Sequence, residues 1–396
     1  MRNRDIIVHG LQSIDSPIGS NCVNIAHEFA KNNRVLYVNY PLDRLTKFRR
    51  KHDPLIQKRI DILNGKQEDL QQISDNMFTL YPKTLLESIS QISFVPLFKA
   101  LNNINSKRYA KKVQEAIDKL GFKDYIIFND SDFYRAYNFI DHLDPAVSVY
   151  YTRDNMRATH FFRKHGAKFE NEVMAKSDLV TANSTYLRDI AAEFNPKSFY
   201  VGQGCDLSLF NRDLIEKLPD DVAAIKGPRI GYIGALKSSR LSIEIIKHIA
   251  ISRSDWSVVL VGPEDDAFKN SDLHSIPNVY FLGSKKMEEL PAYTEAFDVT
   301  LNPQALNPLT IGNYPRKIDE YLAMGKPVVA TLTETMKVFQ EYTYLAEDKE
   351  GYVELIDKAL KENNEDRAKA RIAFAKSHTW ENNVNEIYKV IENQSN

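Results

Sequence analysis

Nowhere in its 396 residues does the chain string together the roughly eighteen apolar residues of a membrane-spanning helix. Cysteine is nearly absent. Cys22 and Cys205 are the only two, far apart and without metal-ligand spacing, which argues against a disulfide framework and for a reducing compartment. Charge of one sign is also missing: 52 Lys and Arg face 53 Asp and Glu, for a net charge of -1, so wholesale nucleic-acid binding is not signalled. Glycine and proline, at 15 and 16, are too few for a fibrous or low-complexity chain. The first apolar run, Asp5-Ile-Ile-Val-His9, is far shorter than a signal-peptide core. The expectation is a cytosolic globular protein whose membrane contact, if any, is peripheral.

What the chain does have is alternation. Short runs rich in Val, Ile, Tyr and Phe recur between helix-length segments. They lie at 5–10, 34–40, 77–82, 124–130, 146–151, 178–183 and 198–204, then at 228–234, 256–262, 278–283, 298–303 and 326–331. Such spacing indicates parallel sheets built from βαβ units. Two series, each with its own first strand, predict an α/β chain of two doubly wound domains. The break falls where Glu216-Lys-Leu-Pro-Asp-Asp221 precedes Gly227-Pro228, a composition that suits an exposed linker. The expected boundaries are a first domain at 1–205, a linker at 206–227 and a second domain at 228–377. A last helix, 378–396, would pack back on the first domain, with Trp380 as a packing anchor.

The most informative stretch is Tyr314 to Thr331, YPRKIDEYLAMGKPVVAT. Pro315 suits a helix start, and Ile318, Tyr321 and Leu322 give that helix an apolar face. Gly325 and Pro327 stop it, and Val328-Val-Ala330 forms a buried strand. Arg316 and Lys317 on the first turn are unfavourable beside the helix dipole unless an anion binds nearby. Two solvated cations are the alternative explanation.

This segment resembles the donor motif of GT-B glycosyltransferases similar to glycosyltransferase family 4. The resemblance extends along the chain through Ser177–Leu187, Tyr200–Phe210, Pro228–Lys237 and His378–Glu381. It implies two Rossmann-like domains facing across a cleft, with the nucleotide sugar held by the second. It also implies transfer from a nucleoside diphosphate sugar, UDP preferred, with retention and without a metal or other cofactor. A glutamate five residues before the glycine of the G-x-P-V turn holds the ribose hydroxyls in that family, and Glu320 occupies this place. A second acid usually stands eight residues earlier, where this chain has Gly312. Backbone N–H groups at Gly312 and Asn313 are therefore expected to take over the contacts with sugar or phosphate. Lys237 and Arg240 occupy the loop that supplies diphosphate-binding cations. Gly262 and Gly283 follow the next two strands at the carboxyl edge, where doubly wound sheets bind ligands.

In the first domain, Gly19 and Ser20 at a helix start resemble the small-residue loop near the donor phosphate. Asp130, Asp132 and Asp154 end two strands and are the candidate acids, needed as a base only if the reaction inverts. The segment from Arg44 to Arg59 carries seven cations around Leu45 and Phe48. A second, from Ile92 to Phe98 and on to Lys112, mixes apolar residues with five more. Both suit an anionic membrane surface and an acceptor that is a glycan or lipid-linked; ordinary solvated helix faces are the alternative. Two other readings stay open: a catalytically silent GT-B scaffold, favoured by Gly312, and a nucleotide-sugar epimerase.

Overall fold

The computed structural model describes residues 1–16, 19–156, 162 and 164–394. Two compact units divide them: Met1–Gly202 with Asn383–Asn396, and Gln203–Asn382. The first carries β1 (Asp5–Gly10), β2 (Arg34–Val38), β3 (Leu42–Asp43), β4 (Leu70–Ser74), β5 (Met77–Leu80), β6 (Leu85–Leu86), β7 (Ile126–Asp130), β8 (Val147–Thr152), β9 (Leu179–Ala182) and β10 (Ser198–Tyr200). Eight of these form one sheet in the order β10-β9-β8-β7-β1-β2-β5-β4, while β3 and β6 pair separately. Every pairing in that sheet is parallel except β4 with β5. The central strands are buried along their length, as β1 is from Asp5 to Gly10, because helices cover both faces. Parallel register levels their carboxyl ends: Gly10 pairs with Asp130, Asp130 with Tyr151, and Thr152 with Ala182.

The second unit repeats the plan with β11 (Arg229–Ile233), β12 (Ser257–Val261), β13 (Val279–Gly283), β14 (Val299–Asn302), β15 (Val328–Thr331) and β16 (Tyr344–Ala346). Their order is β13-β12-β11-β14-β15-β16, all parallel. Two doubly wound α/β units are thus present, as the alternation predicts. Four strands escaped that reading: the two-residue pair β3 and β6, and β4 and β16. In β4, Leu-Gln-Gln-Ile-Ser is half polar and partly exposed at an antiparallel edge, and β16 is three residues long.

Residues 206–227 differ from the expected linker. Phe210, Val222 and Ile225 are buried in the second unit's core, and Asp221 accepts from the Tyr293 hydroxyl at 2.9 Å. The acidic, proline-bearing composition belongs to the exposed side of a packed segment. The last helix, Trp380–Gln394, contributes Val384, Ile387, Tyr388 and Ile391 to buried positions of the first unit. There Tyr388 stacks on Phe29 and accepts from Asn33 Nδ2 at 2.9 Å. Trp380, on the second unit's side, lies against Gly204, where a Cβ would fall 2.3 Å from the indole.

Gly231 in β11 faces the Phe297 ring, which a Cβ would approach to 2.1 Å. Gly231→Ala is expected to destabilise the second unit by about 1–3 kcal/mol through overpacking. Urea unfolding followed by tryptophan fluorescence measures this, because both tryptophans, Trp256 and Trp380, belong to that unit.

Candidate functional site

At the carboxyl edge of the second sheet the loops after β11 and β12 touch through their backbones. A Cβ on Gly262 would fall 2.0 Å from the Gly234 carbonyl oxygen, and both residues have φ in the left-handed range, +146° and +140°. Only glycine meets both demands. The contact is sewn by Gly234 N–H to the Val261 carbonyl and Leu236 N–H to the Pro263 carbonyl, each 2.8 Å. Asp265, the N-cap of the helix Asp266–Lys269, also accepts from the backbone N–H and hydroxyl of Ser238. On the other side of the same loop, Ala305 N–H donates to the Arg240 carbonyl and Asn307 Nδ2 to the Ser239 carbonyl. The segment carrying Lys237 and Arg240 is therefore pinned from both flanks while their side chains stay exposed.

The helix Lys317–Ala323 meets this edge. Its Tyr321 hydroxyl accepts from Ile233 N–H at 2.9 Å, which fixes the helix against the end of β11. Lys317 Nζ lies 5.4 Å from the centre of the Tyr232 ring, and a Cβ on Gly234 would come within 2.3 Å of it. Tyr232, whose hydroxyl pKa burial pushes up, also feels Arg240 and Glu320, so Lys317, Arg240 and Glu320 converge on one ring. With only seven residues, the helix contributes a small dipole, so the cations dominate the local field.

Among the described residues no carboxylate lies within ion-pair distance of Lys237, Arg240, Arg316 or Lys317, of which the first three are exposed and the last is half-buried. The Glu320 carboxylate makes no side-chain hydrogen bond among them. Burial raises its pKa above the ordinary glutamate value, against the pull of Lys317 and Arg316. Its neighbour Asp319 is wholly buried but satisfied: His378 Nδ1 lies 2.6 Å from one oxygen and the Tyr314 hydroxyl 2.9 Å from the other. Burial pushes this carboxyl up and the His378 contact pulls it down. The pair locks the front of the helix to the segment preceding Trp380. Adjacent carboxyls thus divide their work, one structural and one unengaged.

Asn313 is a different matter. Its N–H already donates to the Thr310 carbonyl at 3.0 Å inside a closed turn, and Gly312 is buried, so the expectation of open Asn313 backbone there is not met. Gly283 ends β13 with φ +69° and faces open space, and no contact ties it to the cations. Tyr232 and Tyr321 were not singled out from the sequence. Their apolar-looking positions, at a strand end and on a helix's buried face, read as core.

In the first unit, Gly19 is exposed and Ser20 is the N-cap of the helix Asn21–Ala30 without a capping side-chain bond. The Ser20 hydroxyl is buried with no hydrogen-bond partner among the described residues. Pro17 and Ile18, between this cap and the loop held by Asn39, lie outside the described residues. Asp130 is fully buried, one oxygen 2.7 Å from Arg153 Nε, and its charge also acts on the Cys22 thiol. Arg153 also reaches Asp154 at 3.0 Å. Asp132 is enclosed as well, accepting from Arg135 N–H, and burial raises its pKa. Asp154 is the most accessible of the three.

Residues 227–362 match the family model described as Glycosyl transferases group 1. TuaH of Bacillus subtilis (strain 168), named for glycosyl transfer in teichuronic acid biosynthesis, is 29% identical over 237 residues. That match covers 56% of this chain and 58% of the relative. Among solved structures, Anabaena Alr3699/HepE in complex with UDP is similar at TM-score 0.64 with 13% identity, over 98% of this chain and all of that one. Sucrose-phosphate synthase from Thermosynechococcus elongatus is similar at TM-score 0.62 with 14% identity, over 99% of each chain. The chain has the GT-B fold, and the similarity to glycosyl transferases group 1 lies within its second unit, at residues 227–362.

Proposed function

We propose that the protein transfers a sugar from a nucleoside diphosphate sugar, UDP-linked, to a glycan or lipid-linked acceptor. One observation carries this reading. Arg240, Arg316 and Lys317, without carboxylate partners among the described residues, are brought by the Gly234 loop and the Lys317 helix towards Glu320, a half-buried carboxylate with no side-chain hydrogen bond among them, and Lys237 stands on the same loop as Arg240. A diphosphate answers the cations, and vicinal ribose hydroxyls answer Glu320, since an ionised carboxylate accepts from both at once. The complex of HepE with UDP and the group 1 domain support the nucleotide class. The relation to TuaH supports an acceptor in polysaccharide assembly.

The chemistry follows from that charge arrangement. As the bond from sugar to phosphate breaks, negative charge grows on the departing diphosphate, and the fixed cations stabilise it without a metal. In a retaining transfer the leaving phosphate oxygen takes the acceptor's proton on the same face. No protein base is then required, which suits the enclosure of Asp130 and Asp132.

The acceptor reading has its own support. Among the cations of 44–59, Arg44 pairs with Glu87, Arg50 with Asp53 and Lys58 with Asp15, and Arg59 is buried against Tyr40. Phe98 is core. Lys47, Arg49 and Lys51 remain without ion pairs among the described residues, beside Phe48, which is 77% exposed; Phe94 is 67% exposed. No helix among the described residues is long and apolar enough to cross a membrane. We assign this smaller patch to peripheral contact with anionic lipid.

Three outcomes are expected. In thermal-shift assays, UDP and UDP-glucose should stabilise the protein while ADP, CMP and GDP do not; no shift with any nucleotide would refute the donor site. Glu320→Ala should weaken UDP-glucose binding about tenfold or more, as expected for hydrogen bonds to a charged group worth ~1.5–3 kcal/mol. UDP-glucose affinity should also fall with decreasing pH from above the usual glutamate range. There the raised carboxyl gains its proton and loses acceptor capacity, and Glu320→Gln should remove that pH dependence. Third, sedimentation with anionic liposomes should retain the protein and Phe48→Ser with Lys51→Glu should release it; equal binding to neutral liposomes would exclude the electrostatic part.

A further inference from the structure

Within the first unit, a cavity of about 270 Å³ opens between the ends of β1 and β2 and the segment Leu86–Ser90. That volume lies just below the range of drug-sized pockets and suits one pyranose ring rather than a longer glycan. Tyr40 and Tyr134 supply aromatic wall, and Pro41, Leu45 and Ile89 supply aliphatic wall. Sugars are bound in this way, with C–H faces on apolar and aromatic surface and polar edges on a few fixed groups.

The charges lining the cavity are unequal. Asp43 accepts from Ser88, from the Thr46 hydroxyl and from two backbone N–H groups. Glu87 is held between Arg44 and Arg108, and Arg50 is paired with Asp53. Arg135 is the exception. Its guanidinium makes no hydrogen bond among the described residues, and its nearest carboxylate oxygen, on Asp132, lies 3.6 Å away. It is held in place instead by stacking, its central carbon 4.4 Å from the centre of the Tyr40 ring, over which Arg59 also lies at 4.2 Å. Arg59, by contrast, uses a donor on the Tyr40 carbonyl. Nη1 faces Asp132, while Nε and Nη2 make no hydrogen bond among the described residues, and a pre-positioned planar fork with two such donors suits an anion. Asp132 answers it poorly, because the distance exceeds a hydrogen bond and burial disfavours its charged form.

We infer that this cavity takes an anionic sugar unit of the acceptor, a pyranose bearing a carboxylate or a phosphate, with Arg135 as the anion contact and the Tyr40 and Tyr134 rings as its walls. The inference rests on the glycosyl-transfer reading for the word acceptor, but the site itself is separate from the donor-binding unit. Tyr40, with Arg59 over its ring as well, holds the Arg135 guanidinium flat at the cavity wall.

Saturation-transfer NMR with glucuronate, glucose 6-phosphate and glucose, each at about 10 mM, tests it, since one charged contact on a single sugar gives millimolar affinity. At least one anionic sugar should give a signal on the wild type that glucose does not, and the responding anion identifies carboxylate or phosphate. Arg135→Ala should reduce that signal at least tenfold. Ser90→Trp, which fills the cavity without changing its charge, should do the same. Glucose responding as strongly as the anions, an anion signal that survives Arg135→Ala, or no response from any of the three would overturn the inference. Thermal shift with UDP on the same samples shows that the variants are folded. If the wild type failed to bind UDP, the donor reading would fall while the cavity result stood by itself.

Discussion

The backbone contact between Gly234 and Gly262 is the constraint on which the second unit's functional edge depends. Two loops after adjacent parallel strands cannot approach so closely if Gly262 carries a Cβ, while a Cβ on Gly234 would collide with Lys317. Their approach produces the hydrogen bonds that turn the 234–241 segment into a fixed shelf for Lys237 and Arg240. The space left by the missing Gly234 side chain is where Lys317 Nζ comes in from another element. Cations from two separate segments can therefore serve one ligand, and neither the shelf nor the helix would suffice alone. The order matters physically. Holding like charges near one another costs Coulomb energy, and the rigid backbone rather than the charges supplies the alignment.

The same edge shows how two consecutive carboxyls acquire different tasks. Asp319 points where Tyr314 and His378 satisfy it, and removing either partner would leave a buried charge exposed to the full cost of desolvation. Glu320, one residue on, points about 100° away around the helix and meets cations instead. The satisfied residue gives the unengaged one a fixed platform.

How much of this could be read from the sequence depended on how local the signal was. Central strands such as Ile6–Val8 and Val258–Val261 are continuous apolar runs because both faces are covered, and they were legible to within a residue or two. The polar edge strand Leu70–Ser74 has no such run. Residues 206–227 look like a linker in composition, yet Val222 and Ile225, spaced for one side of a turn, reach the core. Spacing within one helix singles out Glu320 and Lys317 as donor-side candidates. The pairing of Asp319 with His378 spans 59 residues and leaves no mark in local pattern. The basic segments were over-read for a related reason. Sequence counts cations but not their partners, and the acids at Asp15 and Glu87 that neutralise several of them are distant in the chain.

That contrast explains why the two sides of the molecule differ in how well their chemistry can be inferred from residues alone. A diphosphate and a ribose are the same groups whatever sugar they carry, so their contacts can be concentrated in one contiguous helix and one loop. The cavity in the first unit is assembled from the ends of β1 and β2, the Leu86–Ser90 segment, the helix at Asn102 and Asn105, and Arg135. No two of these lie within a single turn or strand, so no spacing rule connects them. Under the proposed reading its selectivity depends on which guanidinium the fold leaves without a hydrogen bond. Arg44, Arg50 and Arg59 are as basic as Arg135 in the sequence, but each has an acceptor on Glu87, Asp53 or Tyr40, while Arg135 has only the 3.6 Å ion pair with Asp132. That subtraction is one which only the folded chain performs.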